Sequence, residues 1–148
     1  MYSFGHYQTM KSSFEQICQG KRVWTALGNF MNDWYAYHED EREKLIIDPL
    51  PDSYPSEFHR WAAFCAASVE WFCNKYGVLC PSWVFDPKYI LADPWFFSEK
   101  ETLRSYYLTK TPEEFTRRNI FCGNRMFANK WEAIEEFKER LQSCRISA

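Results

Sequence analysis

Between Pro55 and Gly77 lies a stretch that leaves the chain few options. Glu57 to Tyr76 carries Phe58, Trp61, Ala62, Cys65, Val69, Phe72, Cys73 and Tyr76 at helical spacing, with Phe64 and Trp71 adding apolar bulk outside that face. Ala62, Ala63, Ala66 and Ala67 keep part of the surface thin, so neighbouring helices can approach closely. A helix that is apolar on most sides must be covered on most sides. The segment therefore predicts a central buried helix over 57–76, opened by Ser56 as N-cap and closed by Gly77, where a helix end favours a left-handed residue.

The covering layers have to come from the rest of the 148 residues. Phe 13, Tyr 9 and Trp 7 make up 20% of the chain, while Gly 5 and Pro 7 are sparse, a composition that excludes disorder and linker-rich architecture. On the N-terminal side, Met10, Phe14, Ile17 and Cys18 predict a helix over Tyr7 to Gln19 with Gly20 as its stop. Trp24, Leu27, Met31, Trp34 and Tyr35 then form the stripe of a longer helix over Arg22 to Ile47, with close packing or a break near Gly28. Its polar end, His38 to Lys44, reads as a solvated acidic face. Asp48 to Pro55 holds three prolines and breaks the helix.

Beyond Gly77 the pattern changes. Residues 81–97 contain three prolines and six aromatics, with Asp86-Pro87 set to open a short turn and Asp93-Pro94 to end it. Ser98 with Glu101 spells a capping box for a helix to Leu108, and Thr111-Pro112 starts a short one ending near Arg118 or Asn119. A last amphipathic helix is predicted over 129–142, with Trp131, Ile134, Phe137 and Leu141 inward. No strand stands out. The fold class expected is all-α, a single domain over 1–148 with five to seven helices and an irregular aromatic segment at 78–97.

Several chemistries find no support in the spacing. Cys18, Cys65, Cys73, Cys80, Cys122 and Cys144 include no Cys-x-x-Cys pair, and His6, His38 and His59 lie in separate elements, so neither metal nor cofactor is expected. The thiols read as free and mostly buried small hydrophobes. Serine-nucleophile and glycine-rich phosphate motifs are missing, which leaves an enzyme only through a site assembled in three dimensions. The opening residues have no basic and apolar leader pattern, and the apolar stretch around Trp61 to Val69 is far short of the ~20 residues of a membrane span. The expectation is a cytoplasmic protein without a membrane partner.

Charge is more informative by region than in total. The formal net charge of −2 argues against a nucleic-acid glove. Residues 1–56 carry 5 basic and 8 acidic side chains, whereas residues 98–148 carry 10 and 8. From Phe115 to Trp131 there are four basic residues, Arg117, Arg118, Arg125 and Lys130, and no acid. These can hold an anionic partner surface or a phosphate. Alternatively, Arg117 and Arg118 pair with Glu113 and Glu114 or cap a helix end, the reading favoured for Arg118 and left open for Arg117.

Pro81-Ser-Trp83-Val, Asp86-Pro87, Asp93-Pro94-Trp95-Phe96 and Thr111-Pro112-x-x-Phe115-x-Arg117-Arg118-Asn119-Ile120-Phe121 follow one another in an order that resembles a C-terminal module of uncharacterised bacterial proteins. The likeness covers residues 81–121. Members of that group are encoded beside nucleotidyltransferase-like proteins in arrangements suggestive of toxin–antitoxin pairs, and some carry an N-terminal helix-turn-helix, for which no signature precedes residue 57 here. The resemblance implies an antitoxin-like protein with a nucleotidyltransferase-like partner and supplies no catalytic residue. Candidate partner- or anion-binding residues are Arg117, Arg118, Arg125, Trp83 and Trp95. A small enzyme or nucleotide-binding site near Arg117 and Arg118 is the alternative, a nucleic-acid-binding regulator the third reading, and self-association stays open.

Overall fold

A computed structural model describes residues 7–128 and 138–142. The central helix is present, as α4, His59–Tyr76. Nine consecutive residues, Ala62 to Glu70, are buried, so α4 is enclosed around its circumference rather than along one stripe. Gly77 ends it at φ 69, with the Val78 N–H donating back to the Cys73 carbonyl. Ser56 does not cap it. Ser56–Phe58 instead forms a 3-10 turn leading into the helix.

Two earlier helices lie on α4 and on each other. The first, α1, spans Met10–Cys18 and is capped by Thr9, whose hydroxyl accepts from the Ser12 N–H at 3.0 Å. The second is shorter than its stripe predicts: α2 covers Val23–Asn32, then widens into a π-helical turn at Asp33–Tyr37, a 3-10 turn at Glu39–Glu41 and α3, Arg42–Ile46. No break occurs at Gly28, and no neighbouring atom lies within 4 Å of where its Cβ would be. The interruption follows from the aromatic pair at 34 and 35. Adjacent residues on a regular α-helix point about 100° apart, whereas the π turn lets both Trp34 and Tyr35 bury against Phe72 at 5.1 and 6.2 Å between ring centroids. Tyr35 also shares a hydroxyl hydrogen bond with Tyr76 at 2.7 Å, and Arg42 lies 5.0 Å over both Trp34 and Tyr76.

The Pro-rich segment forms two 3-10 turns against α4, Ser82–Phe85 and Pro87–Tyr89, the second capped by Asp86 as its spacing predicts. The remaining helices start differently from expectation. Ser98 Oγ accepts from the Lys100 N–H, so no capping box forms, and α5 runs Glu101–Lys110. Thr111 ends that helix, donating to the Tyr107 carbonyl and accepting from the Gly123 N–H, which leaves Pro112 at the start of α6, Glu113–Thr116. The chain does contain strands: β1, Trp95–Phe96, pairs in parallel with β2, Ile120–Phe121. Of the predicted 129–142 helix, 129–137 lie outside the described residues. Residues 138–142 are helical, and Leu141, expected inward, is exposed.

The core is one hydrophobic cluster built around two rings of α4. Phe64 gathers Trp24, Trp61, Phe97 and Phe115, and Phe72 gathers Phe30, Trp34 and Trp71. Phe127 touches both at 5.9 and 4.9 Å and so joins the two nests. The mostly helical architecture is thus as expected, and no helix among the described residues is long and apolar enough to cross a membrane.

Two glycines should respond oppositely to alanine. Gly28→Ala in mid-helix should stabilise by about 1 kcal/mol and raise Tm by about 2–4 °C. Gly123 has φ 77, and a Cβ there would enter the Tyr106 ring. Gly123→Ala should cost at least about 2 kcal/mol. Thermal unfolding followed by far-UV circular dichroism measures both.

Candidate functional site

The basic cluster has a partner that sequence patterning did not flag. Glu70 is the sole acid in α4, and its carboxylate receives both arginines: Arg118 Nη1 on Oε1 at 2.8 Å and Arg117 Nη2 on Oε2 at 2.5 Å. Arg118 also donates to two main-chain carbonyls, Nη1 to Glu114 at 2.6 Å and Nη2 to Val84 at 2.8 Å. One guanidinium therefore joins α4, the 82–85 turn and the end of α6. The side chains of Arg118 and Glu70 are 4% and 7% exposed, so the pair sits where an unanswered charge would be costly. This agrees with the capping role favoured for Arg118, with Glu70 in place of Glu113 or Glu114 as the carboxylate.

Arg117 is different. Its side chain is 44% exposed, and besides Glu70 it approaches Glu113 at 3.5 Å, so one edge is held while the other faces outward. Hydrogen bonding to Glu70 raises its pKa above the usual arginine value. A depression of about 190 Å³ lies beside the pair, lined by Val84, Phe85, Asp86, Ile90 and the two arginines. It is smaller than the ~300 Å³ at which ordinary ligand pockets begin, and its lining is largely apolar. Arg118 already has its charge matched by Glu70 and two donors on main-chain carbonyls, which weakens the case for a nucleotide site there.

The other three candidates do not converge on this spot. Trp83 is anchored by its indole N–H to the Ile46 carbonyl at 2.8 Å and meets Tyr89 edge-on, as a core piece would. Arg125 is exposed on the turn before Phe127. Trp95 belongs to a separate aromatic surface. It packs on Trp61 and Phe97, each at 4.9 Å, and Trp61 in turn meets Trp24, which is 46% exposed. Arg60 lies 5.7 Å over Trp95. Arg60 sits on the first turn of α4, where the apolar pattern of the helix gives no signal for it.

Five free thiols are described: Cys65, Cys73 and Cys122 are buried, Cys18 and Cys80 half-buried. Burial pushes the Cys65 thiol up and Cys122 up to about 12. Interaction between the neighbouring Cys73 and Cys80 thiols pushes Cys73 up and Cys80 down, and the Arg118 charge also favours Cys80 as thiolate. No group of three or more potential metal ligands converges among the described residues. The acidic run does not either: Glu41 is taken up by Tyr7 at 2.7 Å and Lys44 at 2.9 Å, which with His38 hold its carboxyl below the usual range.

The chain matches no protein-family model, no curated protein and no solved structure.

Glu70→Ala, by leaving Arg118 buried without its counter-charge, should destabilise by about 3–5 kcal/mol, whereas Arg117→Ala should cost no more than about 1 kcal/mol. Urea unfolding of the two variants tests the contrast, and equal losses would contradict it. Brief alkylation of the native protein at pH 8 should label Cys80 first among the described thiols and Cys65 last, read by peptide mass spectrometry.

Proposed function

We propose that this is a non-enzymatic, antitoxin-like interaction protein that binds a nucleotidyltransferase-type partner and occludes it sterically. The partner class rests on the resemblance of residues 81–121. The observation that carries the interaction reading is the row of Trp24, Trp61 and Trp95, in which the middle indole meets the other two and the Arg60 guanidinium lies over Trp95. Trp and Arg are the residue types that anchor protein interfaces, because each buries a large rigid area while keeping a polar edge. Nothing in the fold requires all three rings at the surface. Phe64 and Phe97 fill the layer beneath, so Trp24 at 46% exposure contributes a ring that only a partner would fully cover.

The charged residues divide accordingly. Arg118 supports the scaffold from within, and the outward edge of Arg117, together with exposed Arg125, is available to acidic groups at the rim. Occlusion needs no reacting group from this chain. It needs a rigid face, which the buried pair and the aromatic core supply.

Co-expression with the product of the adjacent gene should give a complex that co-elutes on size exclusion and relieves any growth arrest that product causes. Trp24→Ala and Trp95→Ala should each weaken the complex by about 2 kcal/mol, some thirtyfold in Kd. Separate elution with no relief of arrest overturns the reading.

A further inference from the structure

Beside the indole cluster, a trough of about 700 Å³ lies against β1, bordered by Arg60, Trp95, Phe96, Phe97, Glu99 and Arg104. Two features of it are unspent. The first is backbone. Trp95 N–H donates to the Asn119 carbonyl at 2.8 Å and Phe97 N–H to the Phe121 carbonyl at 3.1 Å. Strand groups alternate in direction, so the Phe96 N–H and C=O point away from β2, and among the described residues no hydrogen bond reaches them. The second is charge. Arg60 and Arg104 lie over Trp95 and Phe96 at 5.7 and 4.3 Å, and neither has a carboxylate partner among the described residues.

The geometry points to an acidic, extended peptide segment of a protein partner as the occupant, added as a third strand on the free edge of β1 with carboxylates on Arg60 and Arg104. This rests on the interaction reading above and names the site and chemistry of the contact. Main-chain pairing at a sheet edge supplies affinity, and side-chain pockets supply selectivity. Stacking decides against a nucleobase. Phe96 is sandwiched between Phe121, at 4.6 Å and 14°, and the Arg104 guanidinium, while Trp95 is packed by Trp61, Phe97 and Arg60. The ring faces are occupied by neighbouring rings and cations, and the two guanidinium groups, which form no ion pair among the described residues, keep N–H donors for a carboxylate fork. Glu99 is the one acid on the border and opposes such a ligand.

The probe is an end-blocked octapeptide with paired residues, Val-Val-Glu-Glu-Val-Val-Glu-Glu, whose neighbouring glutamates face opposite sides of a strand as Trp95 and Phe96 do, titrated into the full chain and followed by amide NMR. The Phe96 amide should shift and become protected from exchange. Arg60→Ala and Arg104→Ala should each weaken binding at least tenfold, and Glu99→Gln should tighten it two- to fivefold, a gain that a misfolded variant would not show. The valine–glutamine peptide, and a peptide N-methylated at alternate residues, should bind at least tenfold more weakly. An unmoved Phe96 amide, equal binding of the N-methylated peptide, or a thymidine octanucleotide binding as well as the peptide overturns the proposal. Loss of peptide binding with the co-expressed complex intact refutes this site alone; peptide binding without that complex refutes the partner assigned above.

Discussion

A guanidinium with almost no water around it must be answered on every side, and Arg118 is answered by three parts of the chain at once. Glu70 supplies the charge, Val84 and Glu114 the carbonyls. Without the carboxylate the site would hold a bare cation, and without the cation α4 would hold a bare anion in its most enclosed stretch. Each makes the other tolerable. The consequence runs outward from there. With Arg118 held, its carbonyl accepts from the Leu91 N–H, and Asn119, in a left-handed conformation at φ 64, donates its side-chain amide to the Leu91 carbonyl at 2.7 Å. That turn sets the direction of β2, and β2 sets β1. The position of Trp95 at the surface is therefore decided by a pair of charges in the interior.

The parts of this arrangement legible in the sequence are those that depend on side-chain periodicity. The enclosed α4, the Gly77 stop, the Asp86 cap and the helical class all follow from apolar spacing and local turn chemistry. What escaped depends on contacts between distant segments. Thr111 has the residue type of a helix cap, but its hydroxyl accepts from Gly123, twelve residues away. The stripe from Trp24 to Tyr35 suits a continuous helix until two adjacent aromatics must both reach Phe72. Glu70 was readable in principle, as one acid in a helix that is otherwise apolar, aromatic or neutral through its middle. Its meaning became visible only with Arg117 and Arg118, 47 and 48 residues on, because no local rule links a helix residue to a turn so far away.

The aromatic surplus of residues 81–97 resolves into two uses. Val84, Tyr89 and Leu91 fold inward, and Trp83 is tethered by its N–H to the end of α3, so the first half behaves as a plug against α4. Phe85 and Ile90 remain exposed, and Trp95, Phe96 and Phe97 are half-buried. The motifs of residues 81–121 therefore mix two kinds of residue. Arg118, Phe115 and Ile120 are interior, while Trp95 and Arg117 present an edge. Spacing alone cannot separate them, because a half-buried aromatic and a core aromatic occupy the same pattern position and differ only in what lies above.

Rigidity links the two uses. A surface arginine normally gives up rotamer freedom when it meets a carboxylate, at about 0.5–1.5 kcal/mol for each immobilised side chain. Arg104 lies on Phe96, which lies on Phe121, which belongs to a strand positioned by the Arg118 turn. A contact of 4.3 Å with a ring so positioned lowers that cost in the unbound chain. The buried ion pair thus acts on the surface without touching it, since the stacking that covers Phe96 also holds the guanidinium where an incoming carboxylate would need it.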